Sequence, residues 1–165
     1  MKKTQVQKGK TFLILQDIRS VHNVGAIFRT ADAIGITKIY LVGITPTPLD
    51  RFGRVRKDLQ REALGAEQSV PWEYVADARV VIKKLKKEGV EIVAIEQVVS
   101  SIDYKKYKAK DNQSTALVVG NEPVGLPEGL LRLCDSIIEI PMRGSKESLN
   151  VTTALGIVLF RLFDK

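Results

Sequence analysis

Three short segments of the sequence place side chains capable of chemistry beside glycines. In the first, RSVHNVGAIFRTADAIG, Asn23 precedes Arg29 by six positions and follows the apolar run TFLILQD. A guanidinium group is planar and permanently charged, so Arg29 is suited to binding phosphate. Gly25 and Ala26 keep the first helical turn thin, which lets a ligand or another chain approach closely. The alternative is ordinary structure, a helix capped by Asn23 that carries a solvated arginine.

The second segment, VVGNEPVGLPEGLL, places a carboxylate after a buried strand. The strand is predicted to end at Gly120, and Asn121, Glu122 and Gly125 follow before a helix that Pro127 opens. Glu122 could orient a partner or receive a hydroxyl group at this position. The alternative is a plain strand–turn–helix connection in which Glu122 favours the positive end of the helix.

The third segment, IIEIPMRGSKESLNVTTALG, brings two small polar residues to the start of the last helix. Ser148 and Asn150 are both common helix caps, and that is the alternative for each of them. The backbone on both sides of Gly144 could hold a purine through main-chain hydrogen bonds.

The elements that position these segments alternate between strands and helices. Apolar runs predict buried strands, and a 3.6-residue period predicts helices. We therefore expect an α/β fold with a mainly parallel sheet, whose ligands bind at the C-terminal ends of the strands. The predicted strands are Thr11–Gln16, Thr37–Gly43, Val90–Ile95, Thr115–Gly120, Ser136–Ile140 and a short one near Ser69–Trp72; the predicted helices are Val24–Ile34, Ala78–Glu88, Pro127–Cys134 and Leu149–Phe163.

The charge of the chain favours an anionic partner. Its 165 residues fit one domain, and a net charge of +7 makes nucleic acid the first candidate. Three lysine groups, around positions 2–10, 83–87 and 105–110, fit solvated faces. A further group of cations lies on or beside a loop rich in proline and glycine. These side chains either bind phosphate or are simply solvated: Arg51, Arg54, Arg56, Lys57 and Arg61.

Several familiar sites are missing from the sequence. KGKT at 8–11 lacks the glycine spacing of a phosphate-binding loop, and no G-x-G-x-x-G follows the first strand. His22 has no acid or nucleophile at triad spacing, and Cys134 fits a small buried residue. We expect no metal site, no membrane span and, with no export signal, a cytoplasmic protein.

Together the three segments resemble the motifs of the SpoU (TrmH-type) RNA 2′-O-ribose methyltransferases of the SPOUT superfamily. The matching stretches are NVGAIFRTADAIG, VVGNEPVGLPEGLL and IPMRGSKESLNVTTALGIVLF, in this order. Thr152 stands where the family often has serine, which keeps the hydroxyl. The resemblance covers nearly the whole chain.

The resemblance implies a C-terminal trefoil knot, an obligate homodimer with its site near the subunit boundary, and S-adenosylmethionine as cofactor. It also implies a single methyltransferase domain over residues 1–165, with a basic tail at 1–10 and no separate RNA-binding domain. By this resemblance the cofactor is held by Ile95, Glu96, Gly120, Asn121, Gly125, Ile140, Met142, Gly144, Ser148 and Leu149.

The implied reaction is methyl transfer to a ribose 2′-OH of tRNA or rRNA, with a slight preference for tRNA. Arg29 would accept the proton or clamp a phosphate and the forming alkoxide, and it would bind RNA together with the cations at 51–61. Two alternatives are a knotted dimer that binds RNA without catalysis and a small-molecule enzyme. The remaining residues with an implied catalytic role are Asn23, Glu122, Ser148 and Asn150.

Overall fold

Seven strands form one sheet in the computed structural model, which describes residues 9–163. Their order across the sheet is β3-β2-β1-β6-β4-β7-β5, and the paired strands are parallel throughout this described part. The predicted parallel sheet is therefore confirmed. The strands are β1 (Thr11–Gln16), β2 (Lys38–Val42), β3 (Trp72–Val75), β4 (Glu91–Ile95), β5 (Ile102–Asp103), β6 (Thr115–Val119) and β7 (Ser136–Glu139).

Helices cover both faces of the sheet. Residues of α1, α2, α3 and α6 share one apolar core, and residues of α4 and α5 belong to a second core on the other face. This is the arrangement in which parallel sheets are normally found. The helices are α1 (Val21–Ile34), α2 (Lys57–Ala63), α3 (Ala66–Ser69), α4 (Ala78–Lys87), α5 (Glu128–Leu131) and α6 (Val151–Phe163).

The central strands are buried on both sides, which explains their unbroken apolar sequences. Along β1, Leu13 and Leu15 enter the core under α1, whereas Phe12 and Ile14 enter the core under α4. Successive side chains of a strand point to opposite faces of the sheet. When both faces are buried, odd-numbered and even-numbered residues must therefore all be apolar. These central strands match their predicted positions to within one residue at each end.

The first helix begins three residues earlier than predicted, and its cap is Ser20. The Ser20 hydroxyl accepts a hydrogen bond from the Asn23 backbone N–H at 3.2 Å. The expectation that Asn23 caps this helix is therefore wrong. Its side chain is left available for contacts with other parts of the chain.

The last helix begins later than predicted, at Val151, because Asn150 acts as its cap. Asn150 Oδ1 accepts the Thr152 N–H at 2.8 Å, and its carbonyl accepts the Ala154 N–H at 2.9 Å. The predicted helix Pro127–Cys134 is also shorter, since only Glu128–Leu131 is α-helical.

Two helices and one strand were not predicted at all. Helices α2 and α3 follow the loop rich in proline and glycine, and β5 is a two-residue edge strand. Strand β3 starts at Trp72 instead of near Ser69, and its side chains are largely exposed. Short elements at the edge of a sheet carry too few apolar positions to show a clear period.

A glycine in α1 allows α2 to pack closely against it. A Cβ atom at Gly25 would lie 2.6 Å from Glu62 Cβ and 2.9 Å from the Leu59 carbonyl oxygen. The thin first turn predicted at Gly25 is therefore used by this chain's own second helix.

Three further expectations concern the membrane, the N-terminal tail and the cysteine. Within residues 9–163, none of the helices is both long and apolar enough to cross a bilayer. Most of the basic tail at 1–10 lies outside the described residues. Cys134 is partly buried, and burial raises the pKa of its thiol to about 11.

We expect Gly25→Ala to lower the free energy of unfolding by about 1–2 kcal/mol. Overpacking a tight contact costs about 1–3 kcal/mol, and the gain in helix propensity returns up to about 1 kcal/mol. The matched control is Gly129→Ala in α5, where a new Cβ meets open space. Urea unfolding measures both, and equal effects of the two substitutions would contradict the packing argument.

Candidate functional site

A cavity of about 1010 Å³ lies beyond the C-terminal ends of the central strands. Its walls come from the start of α1, the end of β4, the loop after β6 and the segment between β7 and α6. These are the three segments singled out in the sequence, together with the end of β4. The position agrees with the rule that α/β sheets bind ligands at the carboxyl ends of their strands.

Glu122 connects the loop after β6 to the start of α1. Its Oε2 accepts the Arg19 N–H at 2.9 Å, and its Oε1 accepts the Ser20 N–H at 3.2 Å and the Asn23 Nδ2–H at 3.0 Å. The backbone N–H groups at a helix start lack partners within the helix, and a carboxylate both satisfies them and matches the helix dipole.

Asn23 extends this contact to the third segment. Its Oδ1 accepts a hydrogen bond from Asn150 Nδ2 at 3.2 Å, while its Nδ2 donates to Glu122. The three side chains are separated by 99 and 127 positions in the sequence, yet they form one chain of hydrogen bonds. The structure therefore brings Asn23, Glu122 and Asn150 together.

The environment of Glu122 keeps it ionised. Partial burial works to raise the pKa of its carboxyl group, but the hydrogen bonds from the Arg19 N–H, the Asn23 side chain and the Ser20 N–H outweigh it. The net result is a pKa below the ordinary value for glutamate. Glu122 is therefore an acceptor that holds the N–H groups around it.

The loop after β6 folds back on itself at two glycines. The Gly125 N–H donates to the Asn121 carbonyl at 2.7 Å, and Gly125 has a φ of +69°. A Cβ at Gly120 would lie 2.6 Å from the Gly125 carbonyl carbon. The close approach predicted at Gly120 is therefore made by the chain's own loop.

Glu96 supports this loop from the end of β4. Its Oε2 accepts the Leu126 N–H at 2.8 Å, and a Cβ at Gly125 would lie within 2.3 Å of the same oxygen. Asn121 adds a hydrogen bond from its Nδ2 to the Asp17 carbonyl at 2.8 Å. These hydrogen bonds fix the position of the loop relative to the ends of β4 and β1.

The segment between β7 and α6 contributes both apolar and polar side chains to the cavity. Ile140, Met142 and Leu149 line the cavity, as does Ile95 from β4, and Ser148 lines it with an exposed hydroxyl. Gly144 does not line the cavity, and it has open space around its Cα. Its predicted place among the cofactor-binding residues therefore receives no support from the cavity lining.

Arg29 is the predicted site residue that lies apart from the others. It is exposed, it is absent from the cavity lining, and it makes no hydrogen bond or ion pair with residues 9–163. Six residues of helix separate it from Asn23, which is about 9 Å along the axis of α1. The structure therefore does not bring Arg29 to the cavity of its own chain.

The cations at 51–61 are partly neutralised. Arg54 pairs with Asp50 at 2.8 Å, Arg56 with Asp58 at 3.2 Å, and Arg61 lies 3.8 Å from Glu62. Lys57 and Arg61 lie on α2, which directly follows the loop, in agreement with the prediction that the cations lie on or beside it. His22 is exposed beside Glu62, with its Nδ1 3.1 Å from Oε1.

Sequence reasoning missed several residues of the cavity wall. Glu139 and Glu147 line it with Glu96 and Glu122, so the wall carries four carboxylates, and Arg19 and Ser20 line it from the start of α1. Glu139 ends β7, and its position at a strand end was the available signal. No cluster of three or more His, Cys, Asp or Glu side chains suited to a metal occurs in the described range 9–163.

Comparison with known proteins assigns the family. The sequence model described as "SpoU rRNA Methylase family" matches residues 10–160. The chain belongs to the SpoU rRNA methylase family. The resemblance seen in the three motifs is thereby confirmed.

The relatives of this SpoU chain include proteins named 23S rRNA (guanosine-2′-O-)-methyltransferase RlmB. The one from Escherichia coli K12 is 35% identical over 148 residues, which cover 90% of this chain and 57% of that protein. The one from Vibrio vulnificus is 33% identical, and the match covers 90% of this chain and 56% of that protein. The chain thus spans little more than half the length of these relatives.

Solved SpoU structures share the fold. An AdoMet-bound rRNA methyltransferase from Sinorhizobium meliloti matches with a TM-score of 0.83 and 34% identity, covering 94% of this chain and 56% of that one. A second match is the SpoU methyltransferase AviRb from Streptomyces viridochromogenes in complex with AdoMet. Its TM-score is 0.80 at 25% identity, and the match covers 94% of this chain and 59% of that one.

We expect Glu122→Gln to lower the free energy of unfolding at neutral pH, because an amide cannot accept from all three N–H donors. The lowered pKa of Glu122 means that the carboxylate's contribution is fully present above about pH 4.3, the ordinary glutamate value. This contribution is lost as the pH falls through the lowered pKa of the folded state. Urea unfolding of both proteins from neutral to acid pH should therefore show their stabilities converging.

The matched control for this measurement is Glu128→Gln, an exposed carboxylate in α5 outside the network. A gap between wild type and Glu122→Gln that stays constant into acid would contradict the role given to the carboxylate.

Proposed function

We propose that this chain transfers a methyl group from S-adenosylmethionine to the 2′-hydroxyl of a ribose in RNA. The main observation in support is that all three motif segments line one cavity, where hydrogen bonds join Asn23 to Glu122 and to Asn150. Membership of the SpoU family and relatives named as 2′-O-methyltransferases support it.

The cavity fits a cationic nucleoside such as S-adenosylmethionine. Its volume is at the upper end of ordinary small-ligand sites. Its carboxylates suit sulfonium and ammonium charges, and its apolar side chains suit an adenine ring. When bound, the cofactor supplies an electrophilic methyl group. The residues proposed to hold it are Ile95, Glu96, Gly120, Asn121, Gly125, Ile140, Met142, Ser148 and Leu149.

The chain's own residues must position and activate the hydroxyl. Glu122 fixes the Asn23 amide, and Asn23 fixes Asn150, so these three act as positioning residues. The exposed hydroxyl of Ser148 is placed in the cavity to contact a ribose. Attack on the methyl group depends on alignment, which such fixed groups provide.

Arg29 is proposed to act on the RNA itself. A guanidinium group carries its proton permanently at neutral pH, so it cannot accept another unless its surroundings first favour the neutral form. Two roles fit its chemistry: accepting the hydroxyl proton in a site tuned by an RNA phosphate, or holding that phosphate and stabilising the charge that develops on oxygen. Dependence of the rate on pH separates them, because the first role adds a titrating group.

We propose a homodimer in which Arg29 reaches the cavity of the second copy. Arg29 is exposed and lies outside the cavity of its own chain. Helix α6 leaves Ile157 and Phe160 exposed at 37% and 45%, which suits an apolar contact between subunits.

We also propose the C-terminal trefoil knot that the resemblance implies. The placement of β6 between β1 and β4, and the similarity to SpoU structures, support it.

Ribosomal RNA is the substrate we propose first. The relatives at 33–35% identity are named for 23S rRNA. The slight preference for tRNA is not supported by these relatives, although an Aquifex aeolicus TrmH/SpoU tRNA modifying enzyme matches with a TM-score of 0.78 and 27% identity.

Methyl transfer from labelled S-adenosylmethionine to total ribosomal and small RNA tests the proposal. Wild type should yield a labelled 2′-O-methylnucleoside after nuclease digestion. Arg29→Ala should lower the rate by about 10²–10³, the usual cost of removing a group that stabilises developing charge. Arg79→Ala, an exposed arginine at the start of α4, is the control and should keep full activity.

Cofactor binding, measured by calorimetry, should survive in Arg29→Ala. Wild type that binds RNA and cofactor without transfer would favour the non-catalytic RNA-binding dimer. Wild type that binds neither would overturn the proposal.

Mixing two inactive variants tests the shared site. Arg29→Ala keeps an intact cavity, and Asn150→Ala keeps an intact Arg29. If Arg29 acts across the dimer, mixed dimers recover part of the wild-type activity, because one cavity then meets one intact arginine. No recovery after subunit exchange, shown by sedimentation, would place Arg29 in the cavity of its own chain.

A further inference from the structure

The segment between β2 and α2 contains a tightly held hairpin. Leu49 and Val55 form an isolated antiparallel bridge. The Asp50 N–H donates to the Arg54 carbonyl at 2.8 Å, and the Gly53 N–H donates to the Asp50 carbonyl at 2.9 Å. Gly53 has a φ of +75°, which closes the turn. The tip of this hairpin is therefore ordered by its own backbone.

The Asp50 carboxylate fixes the tip further. Its Oδ1 accepts the Phe52 N–H at 2.8 Å and the Arg54 N–H at 3.0 Å, and its Oδ2 accepts Arg54 Nε at 2.8 Å. These hydrogen bonds, with the Arg54 N–H first, outweigh desolvation and lower the pKa of Asp50 below its usual range. The tip is therefore held in one shape at neutral pH.

This hairpin holds an aromatic ring out in solvent. Phe52 is 66% exposed, whereas Phe12 and Phe28 are buried in the cores. The guanidinium carbons of Arg51 and Arg54 lie 4.7 Å and 5.0 Å from the Phe52 ring centroid. Arg51 makes no ion pair with residues 9–163, so its charge remains available to an incoming anion.

We propose that Phe52, with Arg51 and Arg54, forms a platform on which an unpaired base of the RNA stacks. The inference rests on the proposed function only in that the partner is RNA. It names the substrate class more closely: an RNA with a single-stranded or loop nucleotide, and not a continuous duplex. In a duplex the base faces are already stacked on one another and cannot reach the ring.

The platform can bind both the base and the phosphate of a nucleotide. An aromatic face and a guanidinium plane each stack on a base, and such stacking is tolerant of sequence. Arg51, which makes no ion pair with residues 9–163, is available to a flanking phosphate. The other cations of the hairpin and α2 add positive potential, although two of them also pair with Asp50 and Asp58: Arg54, Arg56, Lys57 and Arg61. The guanidinium groups of Arg51 and Arg54 lie over the Phe52 ring, so an incoming base can stack on a guanidinium plane or displace one of them from the ring.

The test measures binding of two labelled probes by fluorescence anisotropy. One is an RNA single strand of about twelve nucleotides, and the other is the same strand paired with its complement. Phe52→Ala should weaken binding of the single strand about 5- to 100-fold, the usual range for one lost stacking contact, and should change duplex binding little. Phe52→Trp should restore the loss.

The salt dependence of RNA affinity distinguishes the contribution of the Phe52 ring from that of the cationic side chains. Phe52→Ala removes no charge, so the slope of log affinity against log salt should stay as in wild type. Arg51→Gln should lower that slope by about 0.7, the value for one phosphate contact on a single strand. Tyr74→Ala, an exposed aromatic on the edge strand β3, is the matched control and should bind both probes as wild type does.

The possible results separate this inference from the proposed function. RNA binding by wild type that is unchanged in Phe52→Ala, or that falls equally for single strand and duplex, overturns the stacking platform alone. A shift in oligomeric state with Phe52→Ala and no change in RNA affinity would assign the ring to a protein contact and also overturn it. A wild type that binds neither probe would overturn both. Since Phe52 is exposed, circular dichroism should show the variants folded.

Discussion

The site depends on the Glu122 carboxylate. Its two oxygens satisfy the Arg19 and Ser20 N–H groups before α1 and also hold the Asn23 side chain. Asn23 in turn holds Asn150 at the start of α6. An ionised acceptor gives stronger hydrogen bonds than a neutral one, so one side chain fixes three segments that are far apart in sequence. Removing it would leave backbone donors unpaired at the mouth of the cavity.

Close backbone packing in the loop after β6 also shapes the cavity wall. The loop after β6 turns back so tightly that a Cβ at Gly120 would meet the backbone of Gly125, and Gly125 itself adopts a φ of +69°. Glu96 then accepts the Leu126 N–H from the neighbouring strand end. Polar groups on either side of the loop are thereby satisfied within the chain.

The cavity wall is lined by carboxylates, whereas the segment 50–62 carries five cations against three carboxylates. Four carboxylates line the cavity, Glu96, Glu122, Glu139 and Glu147, whereas the cations of 51–61 lie on the hairpin and α2. A negative cavity favours a cationic ligand, and a positive outer surface favours a polyanion. The arrangement suits a protein that brings two ligands of opposite charge into contact.

The sequence by itself determined the parallel sheet, since strands such as β1 and β6 are buried on both faces and read as unbroken apolar runs. It also identified the three polar segments at the strand ends. Only the tertiary structure decided which residue caps α1, that Asn23 meets Glu122 and Asn150, and that Arg29 lies outside its own cavity. Periodicity records which face of an element is buried, but hydrogen bonds between segments about a hundred residues apart depend on how those elements pack.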